Sequence, residues 1–542
     1  SIVNSTFQNN TVRGARIENS DNIVINNSVF DHNGPFGLNI YNDSNVTIQN
    51  TKFYMDQIWI LGSMDQLKTL RIIGSTKEDK PIVYYFNTSN ILIENTDTYG
   101  QLIFAYCENI YLRYLTNTTL TLYEVNNTEI KGTRATLSDT GIVLWYVNNA
   151  TLSNLNISTN EYAIRIGWSS NVVLDKSLIY DNIWMGVLIY SVQDISIENN
   201  IFRNNYYAEC VWDGGEDIVI ANNTFIIFRL GVGSWSCWGN ISSGLIVNNT
   251  VRPHSSTYAY TWGIDFTLIS FYIWNITVAN NTVCAVNQGI DVWSYGLASN
   301  ITIENNTVEN CSFFGIGINY DAPRSIVRGN YVRYSYFGIY LKFSTNVTVD
   351  RNIIENNTYG IYLYNASDIL VYSNCIIYNA HQAYDNGANN WNSTDRGNFW
   401  SDYEGNDTDN DGIGDTPYQI DNDSIDYKPL FFCGLLPDNE SPVITIHEPI
   451  NNTITNKTMI RLNLTVTEKY LKYIQIYRND TLLLQTKNKT IAIDIDLPDD
   501  GIWLIKIFAV DFKNNSAQVN LNIVRDMTSP QLSITSPINF SW

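Results

Sequence analysis

The chain has 542 residues, more than one hydrophobic core usually serves, and its 44% apolar and 13% aromatic content excludes a chain disordered throughout. Only 16% of residues are charged, and 53 acids against 32 bases leave a formal −21, a field that repels nucleic acid and anionic headgroups and makes divalent cations the expected partners. No run of about 18 consecutive apolar residues marks a membrane span, and Ser1 and Trp542 both fall inside repeats, so the chain reads as a piece of a longer secreted polypeptide.

From the first residues a phrase recurs about every 22 to 25 positions: Asn22-Ile-Val-Ile, Asn45-Val-Thr-Ile, Asn90-Ile-Leu-Ile, Asn171-Val-Val-Leu, Asp194-Ile-Ser-Ile, Asp217-Ile-Val-Ile, Asn275-Ile-Thr-Val, Asn300-Ile-Thr-Ile, Asn346-Val-Thr-Val and Asp368-Ile-Leu-Val. Each is a short strand with alternate β-branched residues facing inward. A second phrase follows and opens on Gly or Ala, as in Gly141-Ile-Val-Leu, Ala163-Ile-Arg-Ile, Gly289-Ile-Asp-Val and Gly338-Ile-Tyr-Leu. Two or three strands per coil, joined by Asn and Gly turns, predict an all-β right-handed parallel β-helix over residues 1–395. Stacked coils favour neutral Asn and Thr ladders over like charges, which accounts for the low charge. Around sixteen coils would give a rod on the order of 75 Å long. Met55 to Tyr85 breaks the rhythm and reads as a loop insertion.

Asn-x-Ser/Thr sequons are dense, among them Asn9, Asn26, Asn45, Asn117, Asn222, Asn280, Asn300, Asn346, Asn463 and Asn514, and are candidate glycosylation sites of a secreted protein. The same motif also arises from the Asn-Asn-Thr turn of the repeat itself. Seven cysteines form no CxxC spacing; Cys210 and Cys237, and Cys284 and Cys311, lie 27 apart, and such pairs either stack as disulfides or are small buried residues. Tryptophans gather on the central coils at Trp145, Trp168, Trp184, Trp212, Trp235, Trp238, Trp262, Trp274 and Trp293, as an exposed stripe for glycan or protein, or as packing under loops.

Asp265 in Gly263-Ile-Asp-Phe and Asp291 in Gly289-Ile-Asp-Val are 26 apart at one coil phase and should project outward, one above the other. With Trp262, Trp293, Asp213 and Glu209 they are the candidate catalytic constellation for glycoside-hydrolase-like acid/base chemistry, or else an exposed Asp ladder.

His381-Gln-Ala-Tyr-Asp-Asn-Gly-Ala-Asn-Asn-Trp391, then Gly397-Asn-Phe-Trp-Ser-Asp-Tyr403, then Asp407-Thr-Asp-Asn-Asp-Gly-Ile-Gly-Asp415, closely resemble the terminal segment of NosD-like proteins, whose coils belong to the carbohydrate-binding and sugar-hydrolase (CASH) β-helix group. The resemblance covers residues 1 to 432 and implies sugar chemistry and, for NosD proteins themselves, copper-site maturation. Four His and five Met, with no clustered thiols or imidazoles, leave copper a remote alternative.

Asp407, Asp409, Asp411, the Ile413 carbonyl and Asp415 match positions 1, 3, 5, 7 and 9 of a calcium loop, with Gly412 at the turn. Tyr418 stands where an EF-hand places its bidentate Glu. Nine acids and no Lys or Arg lie between Gly397 and Tyr427, so calcium is the expected cofactor of an acidic cap over residues 396–436. Residues 437–525 carry longer alternating strands and predict a β-sandwich resembling immunoglobulin-like surface repeats. Ser441-Pro442 recurs as Ser529-Pro530, so residues 526–542 begin a second repeat and offer a donor strand for a homopolymer.

The sequence reading is therefore an extracellular, archaeal-type cell-surface protein with a structural or adhesive role, partnered by surface glycans or other subunits. The alternative is a polysaccharide-binding or polysaccharide-degrading β-helix enzyme.

Overall fold

The computed structural model describes residues 1–533, except 35–36, 236–238, 256–259, 269–271, 295–297, 410, 436–439 and 469–470, and except the side chains at 209, 211, 212, 235, 268 and 388. Trp238, Cys237, the side chains of Glu209, Trp212 and Trp235, and most of the donor strand predicted after residue 526 therefore lie outside the described residues. The chain divides into two compact units, residues 1–406 with 414–430, and residues 407–413 with 431–542.

The first unit is a parallel β-solenoid of about sixteen turns. In each turn the repeated phrase does what its alternation predicts: Ile195 and Ile197 are buried, as are Ile301 and Ile303, while Ser196 and Thr302 between them are not. The Asn-Asn-Thr turn has a division of labour. Its first Asn takes positive φ at the coil corner, as at Asn222 (56°), Asn280 (55°) and Asn305 (54°), a conformation Asn tolerates better than other side-chain-bearing residues. Its second position points an Asn inward into a ladder: Asn200, Asn223, Asn249, Asn281, Asn306, Asn330, Asn352 and Asn374 each donate a backbone N–H and a side-chain N–H to the Oδ1 of the next, which for Asn374 is Asn398. An amide that both donates and accepts can propagate such a chain, and its last member needs a pure acceptor. Asp426 supplies it, its Oδ2 accepting from Asn398 N at 2.7 Å.

The solenoid is not one uninterrupted stack. Strands Ile2–Val3, Asp21–Asn26, Ser44–Gln49 and Arg71–Ile73 form a first stack with its own core, including the stacked rings of Phe7, Phe30 and Phe53 at 4.8 and 5.0 Å. At an antiparallel hairpin, Thr76–Lys77 against Lys80–Phe86, the chain leaves that stack and starts the main one. The predicted loop insertion at 55–85 is thus corrected: it holds strand Ile58–Leu61, a helix Met64–Leu67 capped by Ser63, and the hairpin between stacks. The charges that looked like an exposed loop are partly internal, Lys77 being 1% exposed with Nζ donating to the Leu137 carbonyl. The first stack lies against the outer face of the main one. Strand Gln101–Ala105 is buried on both sides, Leu102 and Phe104 in the main core and Ile103 and Ala105 in the core of the first stack.

At the far end Trp391 and Trp400 close the main core, and Tyr418 stacks on Trp400 at 4.2 Å. Tyr418 at the twelfth loop position is accordingly a packing residue, its hydroxyl donating to the Asp402 carboxylate.

The second unit is a two-sheet sandwich. Val443–Glu448, Met459–Thr467 and Thr490–Asp496 make one sheet; Thr453–Thr455, Ser516–Arg525, Gly501–Asp511, Leu471–Arg478 and Thr481–Thr486 make the other. One core joins them, with Leu464 and Ile491 from the first and Ile474, Ile507 and Ile523 from the second. The short strand Thr453–Thr455, which pairs parallel to Ser516–Arg525, is additional to the predicted runs because three residues carry no readable alternation.

The proposed cysteine stacking is corrected as well. Cys210 is buried and registered on Val232, its predicted partner Cys237 lying outside the described residues, and Cys284 and Cys311 are free thiols because the turn between them is 25 residues, which sets Cys284 beside Glu309. Among the described residues, Cys375 and Cys433 are each disulfide-bonded.

Candidate functional site

The third residue of the Gly-Ile-x-Leu phrase faces outward, and parallel register stacks these residues into one column. It runs Val143, Arg165, Leu188, Val211, Gly233, Asp265, Asp291, Gly317, Tyr340, Tyr362 and Tyr384. A second outward column two residues on carries Tyr190, Asp213, Thr267, Trp293, Asn319 and Lys342. Together they form one face of one sheet along the solenoid.

Asp265 and Asp291 are adjacent rungs, as the spacing predicts. The expectation of an exposed pair is corrected: Asp265 is 7% and Asp291 1% exposed. Neighbouring aromatic side chains cover them, and Gly317 allows it, since a Cβ there would stand 2.8 Å from Asp291 Oδ1 and 2.7 Å from the Phe314 ring. Thr267 Oγ1 donates to Asp265 Oδ1 at 2.7 Å, and Asn319 Nδ2 donates to Asp291 Oδ1 at 2.8 Å. Asp291 Oδ2 is buried with no hydrogen-bond partner. Burial pushes both carboxyls above the ordinary range, Asp291 further because Asp265 stands beside it.

The two acids are not equivalent. Asp265 lines a cavity of about 440 Å³, together with Trp262, Trp293, Tyr260, Phe313, Thr267, Asn287 and Gln288, whereas Asp291 on the next rung is not part of its lining. Trp293 Nε1 is buried and unpartnered in that wall. A concave site with aromatic sides and a few convergent polar groups suits a sugar ring, whose C–H face stacks on an indole while its hydroxyls take hydrogen bonds.

Further along the same face, Trp145, Trp168, Tyr162, Tyr190, Arg165 and Asp213 form one wall of a cavity of about 540 Å³, and Arg13, Arg16, Tyr41 and Trp59 of the first stack form the other. The central tryptophans therefore divide by role. Trp145 and Trp168 line this cavity, Trp262 and Trp293 the other, and Trp184 leans on Tyr207 at 5.7 Å. Asp213 was grouped with the acid pair by sequence but belongs to the larger cavity. Arg165 was not read as a site residue, although its place in Ala163-Ile-Arg-Ile is the phrase position of Asp265 and Asp291.

In the second unit, carboxylate oxygens of Asp407, Asp409 and Asp411 lie within 4.8 Å of one another. Asp411 N donates to Asp409 Oδ1 and Ile413 N to Asp411 Oδ1, so the loop is folded on its own carboxylates. Asp407 Oδ1 is buried and unpartnered, while its Oδ2 meets Lys487 Nζ at 2.9 Å. The count of nine uncompensated acids is thus reduced: Asp407 has a cation from 80 residues on, and Asp426 ends the asparagine ladder. Three carboxylates with one orphaned oxygen fit a hard divalent cation. Asp415 belongs to the first unit.

Of the ten sequons named above, Asn9, Asn45, Asn117, Asn222, Asn280, Asn300, Asn346 and Asn514 are exposed at positive φ; Asn26 and Asn463 are half-buried.

The fold and this face define a right-handed parallel β-helix protein. Residues 56–225 match the family model described as a right handed beta helix region, and residues 269–405 match that of the periplasmic copper-binding protein NosD. No curated protein matches it in sequence. Among solved structures it is similar to the Dettilon tailspike protein (13% identity, 73% of this chain and 87% of that one, TM-score 0.39). It is also similar to the periplasmic alginate epimerase AlgG (10%, 59% and 78%, TM-score 0.29) and to PfbA, a surface adhesin of Streptococcus pneumoniae (12%, 63% and 84%, TM-score 0.29). No helix among the described residues is long and apolar enough to cross a membrane.

Proposed function

We propose that the protein is an extracellular, surface-exposed glycan-binding protein that holds a polysaccharide chain along the outer face of its main stack. The observation that carries this is the 440 Å³ cavity in which Trp262, Trp293 and Asp265 converge, on a face whose columns continue in both directions. Array binding of immobilised glycans by wild type, Trp262→Ala and Trp293→Ala tests it. Loss of an indole platform is expected to weaken binding about tenfold or more; unchanged binding in both variants contradicts it.

Hydrolysis is the second reading, favoured by one observation: Asp265 faces that cavity and burial raises its carboxyl to about 7. As general acid it would give its proton to the glycosidic oxygen as the C–O bond breaks, while water adds to the anomeric carbon and releases a proton to solvent. Asp291 beside it is pushed up by burial and by Asp265, so it is Asp291 rather than Asp265 that the pairing keeps protonated. Turnover by wild type that is lost in Asp265→Asn supports hydrolysis; binding without turnover leaves an adhesive protein.

The sandwich fits the scaffold role. Its strand order, three strands facing five, supports reading it as an immunoglobulin-like repeat of a stalk, and calcium at Asp407, Asp409, Asp411 and Ile413 would stiffen the loop that enters it. Among the described residues the group of three candidate ligands is all-carboxylate, a set that suits calcium rather than copper. Exposed sequon asparagines support a glycosylated, non-cytoplasmic protein.

A further inference from the structure

We propose that Asn356 is an N-glycosylation site whose first sugar packs on Tyr334 and Tyr378 at a corner of the main stack. This rests on reading the protein as glycosylated and adds which sequon is built to hold its sugar and what that sugar touches. Asn356-Asn357-Thr358 is an Asn-x-Thr sequon. Asn356 is exposed at positive φ (55°), while Asn357 beside it is buried.

The register places the two rings. Glu309 pairs with Arg333, Arg333 with Glu355 and Glu355 with Ile377, so the residues that follow them, Asn310, Tyr334, Asn356 and Tyr378, share one corner column, all at positive φ. Adjacent rungs are about 4.8 Å apart, which sets a tyrosine on either side of Asn356. Both rings are open to solvent, Tyr334 at 50% and Tyr378 at 58% exposure. With Tyr336, Ser312 and Thr358 they line an open groove of about 630 Å³ that contains Asn356. Arg333 lies over the Tyr334 ring at 5.3 Å, which leaves the opposite face for a sugar. A pyranose sets its C–H face on an aromatic ring while its hydroxyls take hydrogen bonds, and the groove offers the hydroxyls of Ser312 and Thr358 for them.

Other sequons lack this surrounding. Asn45 and Asn300 hold their amide N–H on the neighbouring rung, donating to Asp21 at 2.8 Å and to Asn275 at 2.6 Å. Asn222, Asn248, Asn280 and Asn305 stack on four successive rungs, where a sugar on one crowds the next. Asn310, the other sequon of the tyrosine column, is two rungs from Asn356 and has Ala285 on its far side. The modification joins Asn356 Nδ2 to the anomeric carbon of a sugar that an external transferase delivers as a lipid-linked glycosyl phosphate. The C–N bond forms as the C–O bond to phosphate breaks; the phosphate leaves with the electron pair, and Nδ2 gives up one of its two protons.

The test is secretion of the full chain from a eukaryotic host, whose transferase reads the same sequon, followed by endoglycosidase trimming to one N-acetylglucosamine per site. Peptide mass spectrometry is expected to find Asn356 occupied. Amide hydrogen exchange at residues 353–358 and 375–379 is expected to be about threefold slower than in Asn356→Gln and Thr358→Ala, which both remove the sugar. That margin should vanish in a Tyr334→Ala/Tyr378→Ala background, whose exposed rings can be removed without opening the core. An empty Asn356 in protein that carries sugar at Asn222 or Asn280 overturns the inference and leaves the glycoprotein reading standing. So does a margin that is absent from the wild type or that survives loss of both tyrosines. Sugar at no sequon counts against both.

Discussion

Asp265 and Asp291 show how burial turns a sequence pattern into chemistry. Both folded-state carboxyls titrate above their unfolded range, so folding favours the protonated form. Their favourable contribution is complete below the unfolded carboxylate pKa and is lost as pH rises through the raised folded values. Asp265→Asn should therefore match wild type in acid and become the more stable protein on the alkaline side, by at least about 1 kcal/mol in urea titrations; a constant difference across pH contradicts the assignment. The inward asparagines make the opposite case. Asn306 accepts from Asn281 and donates to Asn330 and to the Val278 carbonyl. Asn306→Ala should cost about 2–4 kcal/mol by orphaning buried partners, whereas Asn300→Ala at the exposed corner should cost less than about 1 kcal/mol. Sequence displayed these asparagines as sequons and turns, but it could not show that alternate members of each Asn-Asn pair have opposite fates. That depends on which side of a corner the chain turns.

Single coils explain themselves, and the stacks do not. The repeated phrase made the solenoid legible, because inward β-branched positions recur with the coil. The break into two stacks was not, because the hairpin at Thr76–Lys77 and Lys80–Phe86 is built from the charged residues that ordinarily mark a surface loop. Asp139 pins the arrangement from the main stack, its Oδ2 accepting from Gly37 N at 2.8 Å and Gln57 N at 3.2 Å. Asp139→Ala leaves two buried N–H groups unsatisfied and should lower stability by about 1–3 kcal/mol while increasing proteolysis within residues 1–77. Wild-type protease resistance in that variant would show that apolar contact through Ile103 and Ala105 suffices. The acidic loop belongs to the same scale. Chelation should lower the melting temperature and expose residues near Asp409 to protease, with reversal by added calcium; indifference to chelator contradicts a structural ion.

Across the molecule the negative charge is organised rather than diffuse. Acids end an asparagine ladder at Asp426, sit buried as the Asp265 and Asp291 rungs, and crowd the loop at 407–411, while three arginines line one cavity on the face of those rungs. The acid pair itself was visible from spacing, as were Trp262 and Trp293. The cavity walls were not, because Tyr260, Asn287 and Phe313 come from corners whose lengths vary, and because Arg13, Arg16 and Trp59 come from a stack that folds back on the main one. The account stands on an extended ligand lying along this face, and the crystal structure of a complex with a bound hexasaccharide tests it most directly. Sugar rings over Trp262 and Trp293, with the chain running along the column, are the predicted result; a ligand seated elsewhere on the molecule, or density for none at saturating concentration, would contradict it.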